Sequence, residues 1–170
     1  MKLEDKIRDV PDFPIRGVLF KDITTLLQDA DAYHLAIDSM VERFKGQDID
    51  IVVGMESRGF VLAAPMAYLL GAGLVPVRKL GKLPAETVRA EYSLEYGTNT
   101  LEMHKDAIQP GERVLVVDDL LATGGTTQAT VKLVEQVGGK VVAIAFLIEL
   151  TFLRGREKLK GYDIFAEIKY

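Results

Sequence analysis

Apolar residues along this chain gather into short unbroken runs at 49–53, 74–77, 114–117, 141–150 and 164–168, most of them bounded by glycine. Unbroken runs, as opposed to alternating ones, mark strands buried on both faces, and the intervals are mostly long enough for a helical crossover, so the pattern predicts a largely parallel, helix-covered sheet. Between the runs the period changes. Tyr33, Ala36, Ile37, Met40, Val41 and Phe44 repeat at helical spacing behind Asp29 or Asp31 as a cap. A second helix is expected over 64–70, with Pro65 in its first turn and a stop near Gly71. A third is expected over 127–137, closed by Gly138 and Gly139.

Two stretches break the alternation. The turn-rich segment from Pro11 to Gly17 leads into Val18-Leu-Phe-Lys-Asp22, too irregular for a core strand, and reads as an N-terminal hood over about 1–30. From about 79 to 106 no helical period appears. Tyr92, Leu94 and Tyr96 alternate as in a strand, Gly97-Thr-Asn99 supplies a turn, and the length of the segment suggests a flexible flap. Together these features describe one α/β domain, 1–170, of Rossmann-like build: a mostly parallel central sheet flanked by helices, with a small hood and a flexible flap region at about 79–106.

Composition narrows the chemistry. A chain of 170 residues without cysteine excludes disulfides and thiolate metal sites and suits a reducing compartment. The charged N-terminus lacks a signal-peptide apolar region, and no stretch reaches the ~18 apolar residues that span a bilayer, so the reading is cytoplasmic, without a membrane partner. A net charge of −4 argues against a nucleic-acid partner, which needs a dense basic surface. Small anions stay open, because local charge decides their binding.

The most informative segment is Val114-Leu-Val-Val-Asp-Asp-Leu-Leu-Ala-Thr-Gly-Gly-Thr126: a buried strand, two carboxylates, and a Gly/Thr turn opening a helix. Ligands of open α/β sheets sit beyond the carboxyl ends of the strands, where helix amides attract phosphate. Ala122, Thr123, Gly124, Gly125 and Thr126 supply such amides. Carboxylates beside a phosphate repel it unless they bind something else. Asp118 and Asp119 suit vicinal ribose hydroxyls, and their charge favours a positive centre developing at the anomeric carbon. For an Asp-Asp pair out of context, a cap and a solvated side chain would be the ordinary reading.

This segment resembles the phosphoribosyl pyrophosphate (PRPP) signature of the type I phosphoribosyltransferases, and within them the adenine-using form. Neither a nucleotide-triphosphate loop nor a dinucleotide fingerprint is present. Asp12-Phe-Pro14 with Gly17-Val-Leu-Phe-Lys-Asp-Ile23, Glu56-Ser-Arg-Gly-Phe60, Arg78-Lys-Leu-Gly-Lys-Leu-Pro84 and Tyr92-Ser-Leu-Glu-Tyr-Gly97 extend the likeness over nearly the whole chain, in the family's order.

The resemblance implies transfer of 5-phosphoribosyl from PRPP to adenine, giving AMP and pyrophosphate in purine salvage. It assigns the pyrophosphate to Ser57, Arg58 and Gly59 and to the basic cluster Arg78, Lys79 and Lys82, a segment that also meets the partner subunit in similar enzymes. The residues alone leave a tight turn with a solvated Arg58 as open as binding, and for the basic cluster a solvated face is the commoner reading. The base falls to Leu19, Phe20 and Lys21, with Phe20 stacking and the backbone reading the purine edge; without the motif Phe20 reads as core. Glu95 and Tyr96 match the catalytic flap, Glu95 for the base's proton and Tyr96 over the ribose, or else are ordinary hairpin residues. Mg²⁺ is the expected cofactor, held mainly by PRPP and water with no certain protein ligand, and a homodimer is the expected assembly. His34 and His104 are read as structural or exposed. Two alternatives remain: the same chemistry on another purine, and a PRPP-sensing regulator.

Overall fold

The computed structural model describes residues 1–94 and 96–170. The chain forms two compact units, Met1–Ser39 and Met40–Tyr170. In the first, β1 (Arg8–Pro11) and β2 (Leu19–Asp22) pair antiparallel. Their register sets Arg8 opposite Asp22 and Lys21 opposite Asp9, and both pairs close as ion pairs of 2.6 Å. Asp22 also accepts from the Thr24 N–H and hydroxyl, which starts the short helix α1 (Thr24–Leu27). These donors, Thr24 first and then Arg8, hold the Asp22 carboxyl down at about 2. Helix α2 (Ala30–Glu42) follows, and Asp29 caps it through the Ala32 N–H at 3.1 Å.

In the second unit come β3 (Ile51–Met55), α3 (Gly59–Leu70), β4 (Gly73–Lys79), β5 (Thr87–Leu94), β6 (Gly97–His104), β7 (Arg113–Leu121), α4 (Gly125–Gln136), β8 (Lys140–Glu149) and β9 (Ile164–Lys169). Among the described residues seven strands make one sheet in the order β5-β6-β4-β3-β7-β8-β9. The five apolar runs are its five parallel strands, β4-β3-β7-β8-β9, while β5 and β6 extend the β4 edge antiparallel. Their centres are shielded on both faces: Val52, Val53, Val114 to Val117 and Ala143 to Ile148 are all buried.

The chain leaves β3 leftward through α3 to β4 and leaves β7 rightward through α4 to β8. Because parallel crossovers are right-handed, this reversal puts α3 and α4 on opposite faces of the sheet. It also creates a crevice between β3 and β7.

Three local expectations need correction. Helix α3 begins at Gly59, five residues before the expected start, so Pro65 lies in the helix interior, not its first turn. Leu94 of β5 pairs with Gly97, so Gly97, Thr98 and Asn99 belong to β6 instead of a turn. Most of 79–106 is therefore two paired strands. Its base is pinned by the buried Glu102, which accepts from the Gly81 N–H (3.1 Å), the Thr87 hydroxyl (3.1 Å) and Arg89 Nε (2.8 Å).

Candidate active site

The crevice opens at the two acids. On one side β7 stays paired with β3 only as far as Val117, opposite Gly54. On the other side it continues along β8 to Leu121. Asp118 and Asp119 thus occupy the stretch of β7 that has lost its β3 neighbour, at the topological switch point where α/β sheets bind ligands.

Two helix N-termini converge there. Helix α3 starts so close to β7 that a Cβ on Gly59 would stand 2.9 Å from Asp118 Oδ1 and 3.2 Å from the Val117 carbonyl oxygen, and only glycine permits that approach. Helix α4 starts at Gly125 behind Gly124, which has φ +88° and offers no side-chain cap. The first α-helical bond is from Gln128 N–H to the Gly124 carbonyl, 2.9 Å. The amides of the first turn before it carry the positive end of the helix dipole and are available to an anion.

A cleft of about 370 Å³ runs through this point, lined by Glu56, Ser57, Arg58, Lys79, Asp118, Asp119, Leu120, Ala122 and Thr126. Beside it lies a hollow of about 170 Å³ formed by Tyr92, Ser93 and residues 120–127. The volumes suit a phosphosugar and its substituents.

Charge inside the cleft is unevenly compensated. Arg58 Nε donates to Asp119 Oδ2 at 2.5 Å, and Asp119 is buried. The Asp119 N–H donates to Asp118 Oδ1 at 2.8 Å. Burial, and after it the neighbouring charge of Asp119, push the Asp118 carboxyl well above the usual carboxylate range, while the Asp119 N–H and Arg58 pull it back only in part. A hydroxyl donor arriving at Asp118 would replace lost hydration.

The structure brings Ser57, Arg58, Lys79, Asp118, Asp119, Ala122 and Thr126 around one cleft and Thr123, Gly124 and Gly125 around the adjoining hollow. Others stand apart. Arg78 points to Glu56, whose Oε1 accepts from its Nε (3.0 Å) and Nη2 (2.8 Å), so it does not line the cleft. Lys82 is exposed, and so is Tyr96, with 92% of its surface accessible. Glu95 lies outside the described residues. In the first unit Leu19 is half-exposed, Phe20 packs edge-on against Phe13 with centroids 5.1 Å apart, and Lys21 pairs with Asp9. His34 is exposed, and His104 Nε2 accepts from the Ala85 N–H at 3.3 Å.

Sequence reasoning missed two residues. Glu56 ties the loop after β3 to the end of β4 by holding Arg78 and the Lys79 N–H. Its burial raises its pKa, and these donors together lower it below the usual range. Gly155 lies against the Gly/Thr turn: a Cβ on it would meet the Ala122 carbonyl oxygen at 2.4 Å. Glu56 opens the Glu56-Ser-Arg-Gly-Phe60 segment of the resemblance, which is the one signal that could have found it; no side-chain pattern hints at Gly155.

Residues 23–166 match the phosphoribosyl transferase domain family. An adenine phosphoribosyltransferase of Clostridium kluyveri is 59% identical over 170 residues, covering 100% of this chain and 99% of that one. The crystal structure of adenine phosphoribosyltransferase from Thermoanaerobacter pseudethanolicus superposes with a TM-score of 0.96 at 56% identity, covering 99% of this chain and 100% of that one. That of the Saccharomyces cerevisiae enzyme, complexed with an imino-altritol bisphosphate and adenine, does so with a TM-score of 0.92 at 40% identity, covering 97% and 96%.

Proposed function

This chain belongs to the phosphoribosyl transferase family, and from that premise we propose that it transfers the 5-phosphoribosyl group of PRPP to adenine, forming AMP and releasing pyrophosphate, as a step of purine salvage. The observation that carries the reading is the placing of Asp118 and Asp119 where β3 parts from β7, flanked by the N-termini of α3 and α4.

The 5-phosphate rests on Ala122, Thr123, Gly124, Gly125 and Thr126, whose amides face the helix dipole. The ribose hydroxyls donate to Asp118 and Asp119. The pyrophosphate takes Ser57, Arg58, Gly59 and Lys79, with Lys82 adding to the positive field and Arg78, engaged by Glu56, setting the spacing between the loop after β3 and the end of β4. On binding, Arg58 exchanges its Asp119 partner for pyrophosphate oxygens as a ribose hydroxyl takes its place. Leu19, Phe20 and Lys21 receive adenine: Phe20 stacks, while a backbone carbonyl and N–H match N6 and N1. Hypoxanthine inverts that donor–acceptor pattern and would leave polar groups unpaired.

The bond from the anomeric carbon to pyrophosphate oxygen breaks as adenine N9 attacks from the opposite face. The two carboxylates favour the oxocarbenium-like charge between these events, and Glu95 handles the proton that adenine gives up. Tyr96 covers the ribose, and closure of the hairpin keeps water from hydrolysing PRPP. No protein nucleophile is needed, because positioning and charge supply the acceleration. Magnesium fits the cleft's chemistry, since Asp118 and Asp119 are hard oxygen donors and the chain has no cysteine. Held mainly by PRPP and water, it would supply positive charge to offset that of the pyrophosphate.

The enzyme works in the cytoplasm as a homodimer on this reading. The absence of cysteine supports the first. The second is supported by helix α3, which exposes Val61, Tyr68 and Leu69 along one side, more apolar surface than a lone helix face in water favours. No helix among the described residues is long and apolar enough to cross a membrane.

The test is AMP and pyrophosphate formation from PRPP, Mg²⁺ and adenine. One-to-one products are expected, with kcat falling about 100-fold in Asp118→Asn and in Asp119→Asn. Turnover undiminished in both variants would remove the acids from the mechanism.

A further inference from the structure

The segment between β8 and β9 contributes nothing to the site as assigned, yet it is fastened to the phosphate loop. Gly155 and Gly124 touch backbone to backbone: a Cβ on Gly124 would stand 2.6 Å from the Gly155 carbonyl oxygen. Arg156 grips Glu149, at the end of β8, through two bonds of 2.8 Å. The Gln128 side chain, in the first turn of α4, donates to the Lys158 carbonyl at 3.3 Å.

These fastenings bring a cation to the mouth of α4. Lys158 Nζ lies 4.0 Å from where a Cβ on Gly125 would be. Arg154 pairs with Glu157, and Arg156 with Glu149. Among the described residues the Lys158 ammonium forms no ion pair or hydrogen bond of its own. The segment thus has both arginines paired with carboxylates and places one of its two lysines, Lys158, near Gly125 at the start of α4.

We infer that Lys158 is a phosphate-binding residue of this site, its ammonium giving a full charge to the 5-phosphate that the α4 amides cradle with partial charges. The inference rests on the assignment of Ala122 to Thr126 as that cradle. A compact ammonium suits a phosphate approached from one side, and such charge-assisted bonds are the strong ones. Lys158 is exposed and must be ordered on binding, which limits the gain to roughly tenfold.

The experiment compares the whole enzyme with Lys158→Gln and Lys158→Arg, measuring AMP affinity by calorimetry together with the KM values for PRPP and adenine. Lys158→Gln is expected to weaken AMP and raise the PRPP KM about tenfold, with the loss falling on these and not on the adenine KM, and Lys158→Arg to recover most of it. AMP affinity within twofold of wild type in Lys158→Gln overturns the inference while leaving the cradle standing. Equal losses for PRPP and adenine that arginine fails to rescue also overturn it, because the residue then acts only through packing. A wild-type enzyme that makes no AMP overturns the proposed function itself, an outcome separate from the other two.

Discussion

Asp118 is held between opposing demands: burial and the charge of Asp119 resist its ionisation, while its oxygen meets the start of α3 at Gly59. Glycine at 59 is set by contact, since a methyl there would press on Asp118 Oδ1 at 2.9 Å and on backbone at Val117. Gly59→Ala must therefore shift α3 or the acid. We expect a stability loss of about 1–3 kcal/mol, typical of overpacking, and a fall in kcat/KM for PRPP larger than that for adenine. Urea unfolding and steady-state kinetics measure both, and unchanged values would show that the contact yields without cost. That the two acids close a buried apolar run before a Gly/Thr turn was legible in the sequence, because the run stops at them. The requirement at Gly59 was not, because it arises from a strand 58 positions on, nor was Gly155, which acts through backbone alone.

Among the elements, the parallel strands were the most legible, since burial on both faces leaves unbroken apolar runs. The antiparallel hairpin β5–β6 was harder. Glycine suggested the turn at 97–99, yet Gly97 opens β6 at φ +137° opposite Leu94. Helix α3 was cut short because Ser57-Arg-Gly59 reads as a turn and Pro65 as a start signal; tertiary packing against β3, β4 and β7 overrides that local preference.

The β5–β6 hairpin is tied at its base by Glu102. Its burial raises the pKa, but the Gly81 N–H, Thr87 and Arg89 outweigh that and lower it below the usual value. A depressed pKa stabilises the fold above the unfolded-state value, and that contribution is lost as pH falls through the folded-state value. Acid should therefore release the hairpin base, and Glu102→Gln should mimic acid at neutral pH. Hydrogen exchange of β5 and β6 amides should quicken in the variant, with its pH dependence flattened in the acid range. Equal protection in both proteins at all pH values would contradict this role for Glu102.

At the scale of the whole molecule, α3 leaves Tyr68 86% exposed beside Leu69, with Val61 two turns earlier. That surface supports the dimer that the resemblance implies. Analytical ultracentrifugation should give a species of twice 18.8 kDa for the wild type and a monomer for Tyr68→Glu; a monomeric wild type would remove α3 as an interface. Purine transfer itself is tested most directly by offering the purified enzyme PRPP and Mg²⁺ with adenine, hypoxanthine, guanine, xanthine and orotate in parallel and measuring nucleotide and pyrophosphate formed. Rapid turnover with adenine alone, lost on removing Mg²⁺, is the predicted result. Preferred turnover of another base would contradict the assignment of Leu19, Phe20 and Lys21, and PRPP binding without turnover of any base would contradict the enzymatic account and point to a PRPP sensor.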